Sequence, residues 1–167
     1  KHRINTSNQL KIVNKDFGVE IDLRSYKNEI YLHHDPFKKG ELFTTWIKSY
    51  NHKLIVLNVK EEGLESRLIA LMKKYCVDDY FFLDQSFPFL VRTATKGEKR
   101  CAIRVSEFEN IETAMTLAGK IDWVWVDCFT RFPLTNEDAR RLQVDGGFKL
   151  CFVSPELQGR TDIEHVK

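Results

Sequence analysis

The sequence predicts an α/β protein built around a parallel sheet. After an initial hairpin, short apolar runs typical of strands alternate with segments whose apolar residues recur at helical spacing. The run 53–60 has a continuous apolar centre, as in strands that are buried on both faces of a parallel sheet. No glycine-rich phosphate loop follows any of these strands, which argues against a nucleotide-binding fold of the Rossmann or P-loop type.

The helices are predicted from apolar residues at helical spacing and from residues that can cap a helix. Thr6 or Ser7 can cap a first helix that contains Leu10, Val13 and Phe17 at helical spacing. The clearest amphipathic segment is 63–75, which carries leucines and a methionine along one side. The predicted helices cover 5–17, 42–50, 63–75, 89–95, 111–118, 136–142 and a segment that begins at 159.

The strands are predicted from alternation or from short apolar runs between turn residues. The first strand alternates apolar and polar residues, and the turn at 27–29 returns the chain as a second strand. The later strands are mainly apolar, as expected for a buried sheet. The predicted strands cover 19–23, 30–32, 53–60, 80–83, 100–105, 121–126 and 148–153.

The hairpin 18–36 organises the candidate site. Glu20 and Asp22 alternate with apolar residues, so both carboxylates point to one face of the strand, about 7 Å apart. Two like charges on one face repel each other, and a cation between them relieves the repulsion. The return strand ends at His34, which we expect to lie beside the two carboxylates.

Size and charge limit the function classes. The chain has 167 residues, of which 43% are hydrophobic, which is enough for one buried core, and we expect a single domain over 1–167. Its 26 basic and 24 acidic residues leave a net charge of +2, which gives no reason to expect nucleic acid as a partner. We expect a small-molecule ligand instead, and the sequence does not indicate an oligomeric state.

The cysteines and the hydropathy pattern bear on localisation. Cys76, Cys101, Cys128 and Cys151 are widely spaced and form no CxxC pair, so we expect reduced thiols and no zinc site. No apolar run approaches the ~20 residues of a membrane span, and no signal peptide is visible. We therefore expect a cytoplasmic protein.

Polar residues recur where the predicted strands end. In a parallel sheet the carboxyl ends of the strands lie along one edge, and α/β enzymes place their active sites there. The residues in question are Glu20, Asp22, His34, Asn58, Lys60, Asp84, Arg104, Glu107, Asp127 and Glu156.

Three short motifs follow one another along the chain, namely His2-Arg3, Glu20-x-Asp22 and His34-Asp35. Together they resemble the glycerophosphodiester phosphodiesterases, in which the last motif follows the second at the same interval. The resemblance implies a TIM (β/α)8 barrel related to the phosphatidylinositol-specific phospholipases. Because such a barrel needs about 200 residues or more, we expect it to be incomplete at one or both termini.

The resemblance also implies an activity and roles for individual residues. It implies a phosphodiesterase that depends on Mg²⁺ or Ca²⁺ and cleaves a glycerophosphodiester or a related polyol or sugar phosphodiester. His2 and His34 would be the acid and base, Glu20 and Asp22 the metal ligands, and Arg3 the phosphate contact. A non-catalytic phosphosugar-binding protein on the same scaffold is the alternative.

The third strand departs from the family pattern. The family has Glu-x-Lys there, whereas this chain has Asn58-Val59-Lys60. Lys60 keeps the cationic position and is expected to bind substrate. Asn58 replaces the third carboxylate, and its amide oxygen can still bind a hard cation. The site therefore has one negative charge fewer, and we expect weaker metal binding unless Asp84 or Asp127 supplies the charge.

Overall fold

A computed structural model gives the fold, and it describes residues 1–160. The chain divides into two compact units, Lys1–Phe89 and Leu90–Lys167, which are described here one at a time. The boundary falls inside the helix Phe87–Thr95. The predicted single domain over 1–167 stays a prediction.

The strands and helices follow the predicted alternation, with short helices. The strands are β1 (Val19–Tyr26), β2 (Glu29–Leu32), β3 (Glu41–Leu42), β4 (Ile55–Val59), β5 (Tyr80–Leu83), β6 (Ala102–Val105), β7 (Trp123–Val126) and β8 (Lys149–Phe152). The helices are α1 (Ser7–Ile12), α2 (Phe43–Trp46), α3 (Glu65–Lys74), α4 (Phe87–Thr95), α5 (Ile111–Met115) and α6 (Asn136–Arg140). Single turns of 3₁₀ helix cover Ile47–Ser49 and Pro155–Gln158, and a π-helical turn covers Arg141–Asp145.

The first unit is a five-stranded mixed sheet in the order β3-β2-β1-β4-β5. The strands β1, β4 and β5 are parallel, and β2 and β3 continue the sheet as antiparallel neighbours. Every residue of β4 and β5 is buried, as expected for parallel strands with both faces covered. Fully buried side chains in this unit include Phe43, Trp46, Phe81, Phe82 and Leu68.

The second unit contains a three-stranded parallel sheet in the order β6-β7-β8. Its central strand β7 alternates intermediate and buried residues, and Val124 and Val126 face the core. The strand β8 is only partly covered, and Phe152 is 55% exposed. The helix α6 begins with a capping box between Thr135 and Asp138.

The predicted TIM barrel is wrong. In the described residues the eight strands form two separate sheets, and no closed barrel is present. A barrel of this type requires parallel strands that each pair on both sides. Here β1 pairs on one side with β4, but its other neighbour is the antiparallel strand β2, and the sheet then ends at β3. The alternation of strands and helices predicts parallel pairing, but it carries no information on whether a sheet closes.

The ends of several elements differ from the prediction for local reasons. The helix α1 has the predicted Thr6 cap, with Gln9 completing a capping box, but it ends at Ile12 because Val13 adopts an extended conformation. The predicted helix that begins at 159 lies almost wholly outside the described residues. Within 1–160, no helix combines the length and the apolar character needed to cross a bilayer.

Candidate active site on the first sheet

The N-terminal residues are held along β1 by main-chain hydrogen bonds. The Ile4 N–H donates to the Glu20 carbonyl over 2.8 Å, and the Glu20 N–H donates to the Lys1 carbonyl over 2.7 Å. These bonds place His2 and Arg3 beside Glu20. Arg3 has a φ of 52°, a conformation that is uncommon for a residue with a side chain and that often marks functional sites.

The parallel register of β1 and β4 brings the polar side chains to one face. Asp22 lies opposite Asn58 in this register, and Glu20 lies two residues earlier on the same face of β1. Lys60 follows Asn58 by two residues and continues that face. We refer to His2, Glu20, Asp22, Asn58 and Lys60 as the strand-face cluster.

Glu20 is a buried carboxylate with three neighbours from two segments. Its Oε1 accepts a hydrogen bond from Asn58 Nδ2 at 2.7 Å, and its Oε2 accepts one from the Arg3 N–H at 2.6 Å. His2 Nε2 lies 3.5 Å from Oε2. The side chain of Glu20 is 5% exposed, whereas that of His2 is 35% exposed. The histidine therefore lies at the open side of the strand-face cluster and the carboxylate at its floor.

Asp22 is the most deeply buried charge of the strand-face cluster, with no exposed side-chain surface. Asn5 holds it from the N-terminal segment: Asn5 Nδ2 donates to Oδ2 at 2.8 Å, and the Asp22 N–H donates to Asn5 Oδ1 at 2.9 Å. The other oxygen, Oδ1, accepts no hydrogen bond and lies 3.6 Å from Lys60 Nζ. A buried carboxylate with one unbonded oxygen can accept a further cation.

Lys60 links the strand-face cluster to an adjoining cavity. Its Nζ lies 3.2 Å from Asp84 Oδ2 in addition to its contact with Asp22. Asp84 follows β5 and adopts a φ of 59°, a second uncommon backbone conformation next to the cluster. Lys60 and Asp84 line a cavity of about 310 Å³ together with Val59, Glu61, Glu62, Glu65, Gln85 and Ser86.

His34 follows β2 and has its own carboxylate partner. Its Nδ1 lies 3.0 Å from Asp35 Oδ1, and the ring is 41% exposed. The hydrogen bond from His34, followed by that from Lys38, holds the pKa of the Asp35 carboxyl below its ordinary value, so Asp35 is ionised. Arg24 connects this loop to β4, because it donates to the main-chain carbonyls of both His34 and Lys60.

The oxygens on β1 and β4 are of the kind that hold a hard cation. Within residues 1–160, no group of three or more His, Cys, Asp or Glu side chains is arranged as a metal site, so carboxylates alone do not complete one. Asn58 Oδ1, however, is a buried oxygen that accepts no hydrogen bond, and the same holds for Asp22 Oδ1 on the neighbouring strand. With Glu20 they offer two carboxylates and an amide, a donor set that suits Mg²⁺ or Ca²⁺.

Most of the predicted site residues come together, and two are placed differently from the expectation. His2, Glu20, Asp22, Asn58 and Lys60 are joined by direct contacts. Arg3 contacts Glu20 through its main-chain N–H, and its side chain is exposed. The ring of His34 contacts Asp35, and Arg24 links its main-chain carbonyl to that of Lys60, which follows β4. Their predicted roles as phosphate contact and acid or base stay predictions.

Asn5 is a part of the site that the sequence reasoning missed. Its amide satisfies both the main chain and one carboxylate oxygen of Asp22. The sequence carries no local signal for this contact, because it arises from main-chain hydrogen bonds between the N-terminal segment and β1. The prediction instead assigned this position to the start of α1, which begins two residues later.

The second unit has a separate set of strand-end polar contacts. Arg104 at the end of β6 lies 3.5 Å from Asp127, which follows β7 and also accepts a hydrogen bond from Gln158. Glu107 binds the loop after β7 by accepting from the N–H groups of 129–131. The predicted strand-end residues thus belong to two sets, one in each unit.

Comparison of the chain with family models, with curated proteins and with solved structures gave no match.

Proposed function

We propose that this protein is a metal-dependent phosphodiesterase that cleaves a glycerophosphodiester or a related polyol or sugar phosphodiester. The observation that carries the proposal is the pair of buried oxygens on neighbouring strands, Asp22 Oδ1 and Asn58 Oδ1, which accept no hydrogen bond. They lie next to a buried glutamate that faces a histidine. The motifs that resemble the glycerophosphodiester phosphodiesterases fall on these residues.

The proposed substrate contacts are cationic. Lys60 is positioned by two carboxylates and is 17% exposed at the wall of the cavity, where its ammonium can contact a phosphate oxygen. Arg3 is exposed beside Glu20 and is our second candidate for a phosphate contact. A divalent cation held by Glu20, Asp22 and Asn58 would stabilise negative charge on the phosphoryl group and lower the pKa of a neighbouring hydroxyl.

The two histidines are proposed to move the protons. One imidazole removes the proton of a substrate hydroxyl next to the phosphate, and the hydroxyl oxygen then attacks phosphorus. The bond from phosphorus to the leaving alcohol breaks as the other imidazole, in its protonated form, donates a proton to that alcohol. The product is a cyclic phosphate, which water opens with the two histidine roles reversed.

Carboxylate partners support this use of the imidazoles. With Nδ1 of His34 protonated toward ionised Asp35, its Nε2 is left to exchange a proton with substrate. The Nε2 of His2 faces Glu20, and its ring is open enough for substrate to reach. Both orders of action are compatible with this arrangement.

The proposal is tested by assaying a panel of glycerophosphodiesters and polysaccharide phosphodiesters with and without Mg²⁺ or Ca²⁺. We expect release of alcohol that requires the cation, and we expect Asp22→Asn to lose both activity and cation binding measured by titration calorimetry. Asp16→Asn is the matched control, because Asp16 is exposed and lies outside the strand-face cluster. Equal cation binding by the wild type and Asp22→Asn would contradict the proposal.

A non-catalytic phosphosugar-binding protein is the second candidate. It is favoured by the internal contacts of the two carboxylates, because Asn58 donates to Glu20 and Lys60 contacts Asp22. This protein would bind the same phosphodiesters with unchanged affinity after removal of metal by a chelator. The enzyme would instead require the cation for turnover, so the same panel separates the two candidates.

We place the protein in the cytoplasm and expect its partner to be a small phosphodiester rather than nucleic acid. The placement is supported by four free cysteines, of which Cys101 and Cys128 are buried in the second unit. The near balance of acidic and basic residues supports the absence of a nucleic-acid partner.

A further inference from the structure

We propose that Lys60 is a built-in competitor of the cation and sets the affinity of the strand-face cluster for divalent ions. Its ammonium neutralises Asp22 in the metal-free protein, and an incoming cation displaces it toward Asp84. This inference rests on the cation site of the proposed function and concerns how that site is regulated.

The two contacts of Lys60 differ in strength. Its Nζ lies within hydrogen-bond distance of Asp84 Oδ2, at 3.2 Å, but 3.6 Å from Asp22 Oδ1. Asp84 therefore makes a hydrogen bond with the ammonium, whereas Asp22 interacts with it through charge alone. The Asp22 oxygen keeps its lone pairs available while its charge is partly neutralised from a distance.

A bound cation and the ammonium repel each other when both are close to Asp22. Asp22 Oδ1 is buried, so a divalent ion on this oxygen would repel Lys60 through a medium that screens charge poorly. Each binding event must then include the cost of moving the ammonium away. A chain without that positive charge should bind the same ion more tightly.

The cavity beside Lys60 can accommodate the ammonium when it moves away from Asp22. It holds about 310 Å³, and besides Lys60 and Asp84 its lining includes Glu61, Glu62 and Glu65. Negative side chains on this wall favour the positive charge as it leaves Asp22. A lysine side chain has enough rotatable bonds to make this movement without a change in the main chain.

Titration calorimetry with MgCl₂ and with CaCl₂ tests the proposal on the wild type, Lys60→Met, Asp84→Asn and the double variant. We expect Lys60→Met to bind about tenfold more tightly, the effect of removing one competing charge. Asp84→Asn should bind more weakly, because Lys60 then rests entirely on Asp22. When Lys60 is already replaced by Met, Asp84→Asn should lower the affinity for the cation by a smaller factor than it does in the wild type.

Two controls keep the result interpretable. Lys48→Met removes an exposed lysine of the same unit and should leave the affinity unchanged. Thermal unfolding should show that Lys60→Met is less stable than the wild type without metal and gains more stability when metal is added. Lys60→Gln, which keeps a polar end, replaces Lys60→Met if that variant does not fold.

The possible outcomes separate this inference from the proposed function. If the wild type binds the cation and Lys60→Met binds it equally or more weakly, Lys60 is not a competitor and the inference is wrong. An equal loss from Asp84→Asn in both backgrounds would make Asp84 a ligand of the cation rather than the acceptor of Lys60, and would also overturn it. Absence of binding by every variant would overturn the cation site itself.

Discussion

Asn58, which lies opposite Asp22, is the residue at which the site departs from the motif pattern that the sequence resembles. Asn58 uses its amide nitrogen to hold Glu20 and leaves its oxygen without a hydrogen bond. A glutamate at this position could not donate to Glu20. The asparagine therefore lowers the negative charge of the strand-face cluster and replaces a repulsion between carboxylates by a hydrogen bond.

We predict that Asn58→Glu tightens cation binding about tenfold and lowers the stability of the metal-free protein. The new carboxylate would lie against Glu20 in the place of a 2.7 Å hydrogen bond, and it would interact strongly with a bound cation. Thermal unfolding with and without Mg²⁺ measures both effects. If the variant gains no more stability from metal than the wild type does, residue 58 does not face the cation.

We predict that either His2→Ala or His34→Ala reduces turnover about 100-fold or more, the usual range for a general acid or base. Asp35→Asn should cause a smaller loss, because His34 keeps its imidazole but loses the ionised partner of its Nδ1. Steady-state kinetics on the best substrate of the panel measure all three. Wild-type turnover in His34→Ala would remove His34 from the mechanism.

Much of the site was predictable from the sequence, because side chains alternate between the two faces of a strand and residues two positions apart share a face. That rule places Glu20 and Asp22 together, and the parallel register then adds Asn58. The contribution of Asn5 was not predictable, because its contact with Asp22 depends on main-chain bonds between the N-terminal segment and β1. Spacing in sequence does not report such contacts.

At the scale of elements, Glu107 holds the loop that follows β7. Its carboxylate accepts hydrogen bonds from the N–H groups of Phe129, Thr130 and Arg131 and from the Thr130 hydroxyl. Desolvation raises the pKa of Glu107, but the N–H groups of Arg131 and Thr130 outweigh it and lower the pKa to about 2. The ionised carboxylate therefore stabilises the folded loop.

We predict that Glu107→Gln destabilises the protein at neutral pH and that the difference disappears in acid. A carboxyl whose folded pKa is lowered contributes stability that is present above its ordinary value of 4.5. That contribution is lost as the pH falls from there to about 2, where the carboxyl of the folded protein is itself protonated. Chemical unfolding of both proteins across this range measures it, and a difference that is constant with pH would contradict the assignment.

The elements also show where sequence patterns stop being informative. The strand β5 has the predicted bounds because a short apolar run lies between clear breaks. The prediction extends α1 to Phe17, because Phe17 continues the helical spacing of the apolar residues. The helix is shorter than this, because Val13 is already extended, and Phe17 beyond it is 54% exposed. The strand β3 has only two residues, which is too short to show an alternating pattern in the sequence, and it is recognised by its pairing with β2.

For the whole molecule, the sequence predicts the class of fold but not its closure. The alternation of strands and helices correctly indicates parallel pairs, which form between β1, β4 and β5 and between β6, β7 and β8. The barrel was inferred from resemblance, and it requires each strand to pair on both sides. In the first sheet β1 instead pairs with the antiparallel strand β2, β2 pairs with β3, and the sheet ends there.

For the whole molecule, we propose that the strand-face cluster, together with His34, cleaves a phosphodiester through attack by a neighbouring hydroxyl. Time-resolved ³¹P NMR of the best substrate with protein and Mg²⁺ tests it directly. We expect a cyclic phosphate signal that rises and then decays to a monoester with the wild type, and no such signal with His2→Ala or after chelation of the metal. An unchanged diester signal in the presence of wild-type protein and Mg²⁺, across the whole substrate panel, would contradict the claim.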